Sequence, residues 1–206
     1  MLKLKVCGMR NNANIKELSE IQPDFIGFIF HEQSSRNVSQ AVLMGTPKNI
    51  SRVGVFVNKP VSFITDKIKQ YQLGYIQLHG TESPEFCNEI KELEVGVIKA
   101  FNISDEFDFS SLSQYESVCD YLLFDAFGKQ AGGNGITFNW ELLAKYKGKT
   151  PFLLSGGIDG TMVDELKKIT HPQFKGIDIN SGFEQEPALK NIEKIKRFSE
   201  SIKKIN

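Results

Sequence analysis

The sequence predicts an α/β protein folded as one (β/α)8 barrel of the TIM type. Short apolar runs of strand length alternate with segments of helical period, and eight such units occur in the 206 residues. The mean repeat is therefore about 26 residues, close to the minimum for a strand, a helix and two turns. An open doubly wound sheet is the main alternative, but it usually has fewer strands and a Gly-x-Gly-x-x-Gly turn after the first one, which this sequence lacks. We expect residues 1–206 to form a single domain.

The predicted strands are short and rich in apolar residues, as is typical of strands that are covered on both faces. They are Leu2–Cys7, Phe25–Phe30, Val53–Val57, Tyr75–Gly80, Val95–Ala100, Tyr121–Asp125, Phe152–Gly157 with its turn, and Gly176–Gly182. In the first strand apolar residues alternate with other residue types. Leu2, Leu4 and Val6 lie on one face, and Lys3, Lys5 and Cys7 on the other. It ends on a thiol that is followed directly by a glycine.

The segments between the strands have the period and the boundary residues of helices. Helices are predicted over Ala13–Ile21, from Pro60, from Ser83, from Trp140, over Thr161–Ile169 and over Ala188–Ile205, the closing helix. Two segments give weaker patterns. Ser39–Met44 is expected to be a short helical stretch, and Ser104–Glu116 a short or irregular helix.

Composition restricts the class of partner. Twenty-five basic and twenty-five acidic residues give a formal net charge of zero, so neither nucleic acid nor a membrane surface is favoured as a partner. The three cysteines, Cys7, Cys87 and Cys119, are far apart in the sequence and form no Cys-x-x-Cys motif. This spacing argues against a disulfide scaffold and against a thiolate metal site. No apolar run approaches the roughly 18 residues of a membrane span. We therefore expect a cytoplasmic protein, and of the possible oligomeric states we prefer a monomer.

The carboxyl ends of the strands carry the reacting side chains in a barrel of this type. That rule selects Cys7, the loop after Phe30, Asn58, His79, Lys99, Asp125, Ser155 and Asn180. Cys7 and Asp125 are the short titratable groups best suited to transfer protons, so they are the catalytic candidates. Cysteines are more often small buried fillers, but the position of Cys7 at a strand end, before a glycine, favours a base. Asp125 taken alone fits an acid and a helix cap equally well.

Two glycine-rich turns follow the last two predicted strands. They contain Gly156 and Gly157 in the first turn, and Ser181 and Gly182 in the second. Their backbone N–H groups, together with a helix starting near Ile158, are suited to hold a phosphate dianion without a basic side chain. One Gly-Gly pair is typical of an ordinary tight turn, whereas two such turns at adjacent strands favour a phosphate site.

Three further side chains are candidates for substrate binding. Arg36 lies in a polar loop and is suited to clamp a carboxylate bidentately, although most surface arginines are merely solvated. His79 taken alone is typical of a satisfied polar contact, and we propose no metal. Asp178 is expected to pair with Lys5, because an inward ammonium next to Cys7 needs an acidic partner and strand eight closes against strand one.

Eight short motifs are spread essentially from end to end of the chain. They are Lys5-Val6-Cys7-Gly8-Met9, Ser35-Arg36-Asn37-Val38-Ser39, Gly54-Val55-Phe56-Val57-Asn58, Gln77-Leu78-His79-Gly80, Phe124-Asp125, Gly132-Gly133-Asn134-Gly135, Leu154-Ser155-Gly156-Gly157 and Asp178-Ile179-Asn180-Ser181-Gly182. Together they resemble the phosphoribosylanthranilate isomerase family of tryptophan biosynthesis. The resemblance implies a (β/α)8 barrel that performs an Amadori rearrangement of N-(5'-phosphoribosyl)anthranilate without a cofactor. The partner is then a small phosphorylated substrate.

The resemblance also implies a role for each candidate. Asp125 would be the general acid that protonates the ribose ring oxygen, and Cys7 the general base that removes the proton from C2. Arg36 would contact the anthranilate carboxylate. Apart from the resemblance, we also count His79 and Asp178 among the candidate substrate-binding residues. Gly156, Gly157, Ser181 and Gly182 would hold the phosphate.

Three positions depart from the family pattern, and two other functions stay open. The departures are Asn37, Asn134 and Asn139, where the family usually has an aromatic residue, a threonine and an aspartate. They affect substrate packing or the loop after strand six, and leave the acid and the base in place. The alternative functions are a phosphosugar isomerase of the histidine-pathway type, which uses two aspartates, and a barrel that binds a phosphorylated metabolite without catalysis.

Overall fold

Eight parallel strands form a closed barrel in the computed structural model, which describes residues 1–38, 47–126 and 140–205. The strands are β1 (Lys3–Val6), β2 (Phe25–Ile29), β3 (Ser51–Phe56), β4 (Tyr75–Leu78), β5 (Gly96–Ile103), β6 (Tyr121–Ala126), β7 (Phe152–Ser155) and β8 (Phe174–Ile179). Each strand pairs with the next, and β8 returns to pair with β1. The predicted (β/α)8 fold is therefore confirmed.

Helices follow most of the strands in the described ranges. They are α1 (Asn12–Ile21), α2 (Val61–Tyr71), α3 (Pro84–Lys91), α4 (Val163–Leu166) and α5 (Ile192–Ile202), with 3-10 helices at Phe109–Tyr115, Trp140–Lys145 and Ser181–Phe183. Local sequence explains several of their ends. The side chain of Asn11 caps α1 by accepting from the N–H of Asn14, and the side chain of Ser83 caps α3 in the same way. None of the helices in these ranges is long and apolar enough to cross a membrane.

The apolar side chains divide into two layers, one on each face of the barrel strands. The inner layer contains Phe25, Val53, Ile98, Ala100, Leu123 and Leu153, with Tyr75 and Tyr121 packed against it. Leu4 and Val6 belong to the larger outer layer between strands and helices. Because side chains alternate along a strand, Lys5 and Cys7 on β1 face the interior, as the alternation in the sequence predicts.

Some predicted elements have different bounds in the structure. The closing helix begins at Ile192 instead of Ala188, because a two-stranded hairpin of β9 (Glu184–Glu186) and β10 (Leu189–Lys190) occupies the preceding residues. The helix after β7 begins at Val163, not near Ile158, since Asp159 accepts from the N–H of Thr161 and forms a turn first. The predicted helical stretch Ser39–Met44 and the glycine-rich loop containing Asn134 lie outside the described residues.

Candidate active site

Cys7 lies at the carboxyl end of β1 and is buried, with 5% of its surface exposed. A Cβ atom placed on Gly27 of β2 would come within 2.9 Å of the Cys7 Sγ. The neighbouring strand therefore leaves room for the thiol by having no side chain at that point. Gly8, which follows, has a φ of +76°, a conformation that favours glycine and turns the chain away directly after the thiol.

Lys5 and Asp178 form a buried salt bridge beside this thiol. Lys5 and Asp178 are register partners on β1 and β8, and Lys5 Nζ lies 2.9 Å from Asp178 Oδ2. The predicted pairing of these two residues is confirmed. The other carboxylate oxygen of Asp178, Oδ1, is buried and has no hydrogen-bond partner among the described residues, so an acceptor remains available at the site.

Opposing effects set the proton affinity of Cys7. Burial raises the pKa of the Cys7 thiol, whereas the Lys5 ammonium acts to lower it and Asp178 acts to raise it. A second ammonium, that of Lys190 on β10, also acts to lower the pKa of Cys7. The net pKa lies above that of an ordinary cysteine, which makes the thiolate a stronger base once it is formed.

Asp125 projects from β6 on the same parity as Tyr121 and Leu123, which belong to the interior of the barrel. Its Oδ2 atom lies 3.4 Å from Nε2 of His79, which follows the end of β4. The other ring nitrogen of His79, Nδ1, lies 2.8 Å from the amide nitrogen of Gln77. The two ring nitrogens of His79 therefore contact Gln77 and Asp125, which fixes the orientation of the ring between them.

Arg36 lies over the turn that follows Cys7. A Cβ atom on Gly8 would come within 2.8 Å of both the Cδ of Arg36 and the Oδ1 of Asn180, so the arginine stem crosses the glycine closely. Its guanidinium binds Glu184 at the start of β9, with Nη2 at 2.6 Å from Oε2. Hydrogen bonding to Glu184 raises the pKa of Arg36 further, so the guanidinium is a permanent cation at the barrel mouth.

The two predicted phosphate turns are adjacent in space. Gly156 and Gly157 follow β7 with φ values of +96° and +63°. A Cβ atom on Gly182, in the 3-10 helix after β8, would overlap the carbonyl oxygen of Ile158. The turn after β8 therefore packs directly on the turn after β7, and their backbone N–H groups are suited to one shared anion.

Two strand-end candidates from the sequence, Lys99 and Asn58, make structural contacts with neighbouring elements. Strand β5 extends to Ile103, so Lys99 lies within it. Its parity is opposite to that of Ile98 and Ala100, and its ammonium lies 3.3 Å from Glu82 on the outer side. Asn58 accepts from the N–H of Thr81 and links the loops after β3 and β4.

Two charged residues near the site were not predicted. Glu184 and Lys190 belong to the hairpin after β8, and Lys190 Nζ lies 2.6 Å from Glu184 Oε1. In the sequence Glu184 is part of a polar run, and Lys190 lies within the predicted closing helix. Neither pattern distinguishes a buried ion pair from solvated surface charges. Over residues 1–38, 47–126 and 140–205, no group of three or more His, Cys, Asp or Glu side chains is arranged to hold a metal ion.

Comparisons with known proteins give one consistent result. A family model described as N-(5'-phosphoribosyl)anthranilate isomerase matches residues 4–201. A relative of that name from Parabacteroides distasonis is 44% identical over 97% of this chain and 92% of its own. A second, from Phocaeicola vulgatus, is 46% identical over 97% of each chain.

Solved structures agree with these relatives. The crystal structure of phosphoribosyl anthranilate isomerase from Thermotoga maritima has a TM-score of 0.87 and 32% identity, covering 98% of this chain and 99% of that one. A crystal structure of the enzyme in complex with reduced 1-(o-carboxyphenylamino)-1-deoxyribulose 5-phosphate has a TM-score of 0.84 and 31% identity over the same shares. The chain belongs to the N-(5'-phosphoribosyl)anthranilate isomerase family.

Proposed function

We propose that this chain catalyses the Amadori rearrangement of N-(5'-phosphoribosyl)anthranilate to 1-(2-carboxyphenylamino)-1-deoxyribulose 5-phosphate in tryptophan biosynthesis. Membership of the family supports the reaction, as does the solved relative that holds the reduced form of this product. The observation in this chain that carries the proposal is that Cys7 and Asp125 lie near the carboxyl ends of their strands and share the parity of the inward-facing residues. An acid and a base that act on one sugar in a barrel must both face its interior.

Asp125 is the proposed general acid. In its protonated form it gives a proton to the ribose ring oxygen, and the bond between that oxygen and C1 breaks. The amine nitrogen supplies the electron pair that forms the Schiff base at C1. The contact between His79 Nε2 and Asp125 Oδ2 supports this role, because it fixes the orientation of the carboxyl group toward the interior.

Cys7 is the proposed general base. Its thiolate removes the proton from C2, and the electrons of the C–H bond neutralise the iminium group and give an enolamine. The enolamine then tautomerises to the ketone by taking a proton at C1 and losing the proton of the C2 hydroxyl. The Lys5 ammonium supports this role, because it opposes the burial that disfavours the thiolate.

The remaining candidates are proposed to bind the two ends of the substrate. Arg36 is the proposed partner of the anthranilate carboxylate, and its position over Gly8 places it next to the base. The turns at Gly156-Gly157 and Ser181-Gly182 are the proposed phosphate site. Asp178 is proposed to contact the substrate beside Cys7. Its buried Oδ1 has no partner among the described residues, and a buried carboxylate oxygen is normally hydrogen-bonded.

Organisation and location follow as parts of the same proposal. Residues 1–206 are taken as one catalytic domain, because the pairing of β8 with β1 joins the two ends of the chain. The cytoplasm is the proposed location, since Cys7, Cys87 and Cys119 are all free thiols and all buried.

A direct assay tests the reaction. Purified protein is incubated with freshly prepared N-(5'-phosphoribosyl)anthranilate, and the loss of substrate fluorescence is followed. We expect enzyme-dependent loss that greatly exceeds spontaneous decay. Absence of turnover with a folded sample would reject the proposed activity, and retained phosphate binding in that sample would favour the non-catalytic alternative.

A further inference from the structure

Glu184 is the centre of a buried network that touches the site without being part of the proposed acid and base. Its side chain is only 6% exposed. Its carboxylate accepts hydrogen bonds from Nε and Nη2 of Arg36, from Nζ of Lys190, and from the backbone N–H of Ala188. Burial acts to raise the pKa of Glu184, but the bonds from Arg36 and Lys190 outweigh it and lower the pKa, so this carboxylate is charged at neutral pH.

Glu184 binds one edge of the Arg36 guanidinium. Nε lies 2.9 Å from Oε1 and Nη2 lies 2.6 Å from Oε2, which is a bidentate pair. A guanidinium has five N–H bonds in one plane, and this pair uses the edge shared by Nε and Nη2. Among the described residues, the outer Nη1 of Arg36 has only a long contact of 3.4 Å, to Ser35 Oγ. The edge formed by Nη1 and Nη2 therefore remains available for a second carboxylate.

The hairpin that carries Glu184 is itself fixed on two sides. The buried side chain of Asn14 on α1 pairs with both backbone groups of Lys190, at 3.0 Å and 2.8 Å. The ammonium of Lys190 then bridges Asn180 Oδ1 at 2.7 Å and Glu184 Oε1 at 2.6 Å. Glu184 is thus held before any ligand arrives, and it holds the arginine in turn.

We propose that Glu184 is a positioning residue for substrate binding, which fixes Arg36 so that its outer edge meets the carboxylate of the aromatic amine. This inference rests on the proposed function, because it needs a substrate with a carboxylate on its aromatic ring. A long arginine side chain loses rotamer freedom when it binds, and a preformed pair removes that loss from the binding step. The opposite effect is also physically possible, since a nearby carboxylate can compete with the substrate for the guanidinium. Positioning and competition predict opposite changes in KM when the charge of Glu184 is removed.

Steady-state kinetics of Glu184→Gln provide that measurement. The substitution keeps the shape of the side chain and removes its charge. Positioning predicts that KM rises about tenfold while kcat changes less than about threefold, because the interaction is made equally in the ground and transition states. A lower KM would identify competition and overturn the proposal, as would an unchanged KM. The matched control is Glu186→Gln, an exposed glutamate of the same hairpin, for which both constants stay at the wild-type values.

A double-mutant cycle with Arg36→Ala separates positioning from a general structural role. If Glu184 acts through Arg36, then E184Q has no further effect on KM when Arg36 is already absent. Additive effects of the two substitutions would overturn the proposal. If E184Q leaves Lys190 buried without a counter-ion and does not fold, E184Q/K190M removes both charges, and the same rise in KM is expected. A wild-type protein without turnover would instead reject the proposed function, so the two failures are distinguishable.

Discussion

Lys5 and Asp178 face each other across the seam where the first strand meets the last, with Nζ 2.9 Å from Oδ2. Both side chains are buried, with 0% and 5% of their surfaces exposed. Burial acts to lower the pKa of Lys5, but the Asp178 carboxylate and the Cys7 thiol outweigh it and raise that pKa. The ion pair therefore has two roles: it links the first and last strands of the barrel, and its charges act on the pKa of the proposed base, Cys7.

Removing one member of this pair is expected to destabilise the fold strongly. Lys5→Met leaves the Asp178 carboxylate in the interior without its cation, and breaking a buried pair in this way costs about 3–5 kcal/mol. The double variant K5M/D178L replaces both charges by apolar groups and should recover most of that loss. Urea unfolding followed by circular dichroism measures both free energies. A single variant as stable as the wild type would show that the pair does not stabilise the barrel.

Substitution of the proposed base and acid should reduce turnover while substrate binding is retained. Cys7→Ser replaces the thiol by a hydroxyl that ionises far less readily, so hardly any anionic base is present, and Asp125→Asn removes the proton donor. Each substitution should lower kcat by about 10²-fold or more. KM should stay within about threefold of the wild-type value. Asp66→Asn, an exposed position on α2, makes the same chemical change away from the site and serves as the control. Near-normal turnover in either site variant would refute the assigned role.

The pH dependence of kcat/KM should report the Cys7 thiol. The pKa of this thiol is raised by burial, with Lys5 and Lys190 opposing the rise and Asp178 adding to it. The reactive thiolate is therefore lost as the pH falls, and kcat/KM should fall with it below the pKa of the thiol. Removing a facing cation must raise that pKa further, so Lys190→Met should move this limb of the profile to higher pH. A limb that stays in place or moves to lower pH would contradict the assignment.

The sequence is sufficient for the order of strands and for much of the proposed site, for a physical reason. Apolar runs of strand length mark where both faces of the sheet are covered, and in a parallel barrel the strand ends meet at one rim. Cys7 and Asp125 are predicted in this way. The pairing of Lys5 with Asp178 is predicted because an inward ammonium needs a partner and the last strand closes on the first.

What the sequence does not predict depends on contacts between distant segments. Glu184 lies in a polar run that is typical of a solvated loop, and only the fold brings it to Arg36, 148 residues away along the chain. Lys190 lies in a segment whose apolar spacing predicts a helix, whereas the structure has it on β10. The pairing of β9 with β10 depends on contacts with neighbouring segments, which a local sequence pattern does not reveal. Lys99 is misplaced because a rule based on strand ends takes no account of which face a side chain occupies. On β5 it has the parity of Val97, which belongs to the outer layer, and not that of Ile98 and Ala100.

The turn after β8 offers a test of the proposed phosphate site. A methyl group at Gly182 would overlap the carbonyl oxygen of Ile158 and lie 3.1 Å from the Cβ of Asp159, so Gly182→Ala must separate the two turns. We expect KM for the phosphorylated substrate and the inhibition constant of inorganic phosphate to rise together, each about tenfold. In Gly160→Ala, the matched control, the added Cβ meets nothing within 4 Å, and both constants should stay unchanged. If G182A folds and binds inorganic phosphate as the wild type does, the phosphate is not held by the backbone of these turns.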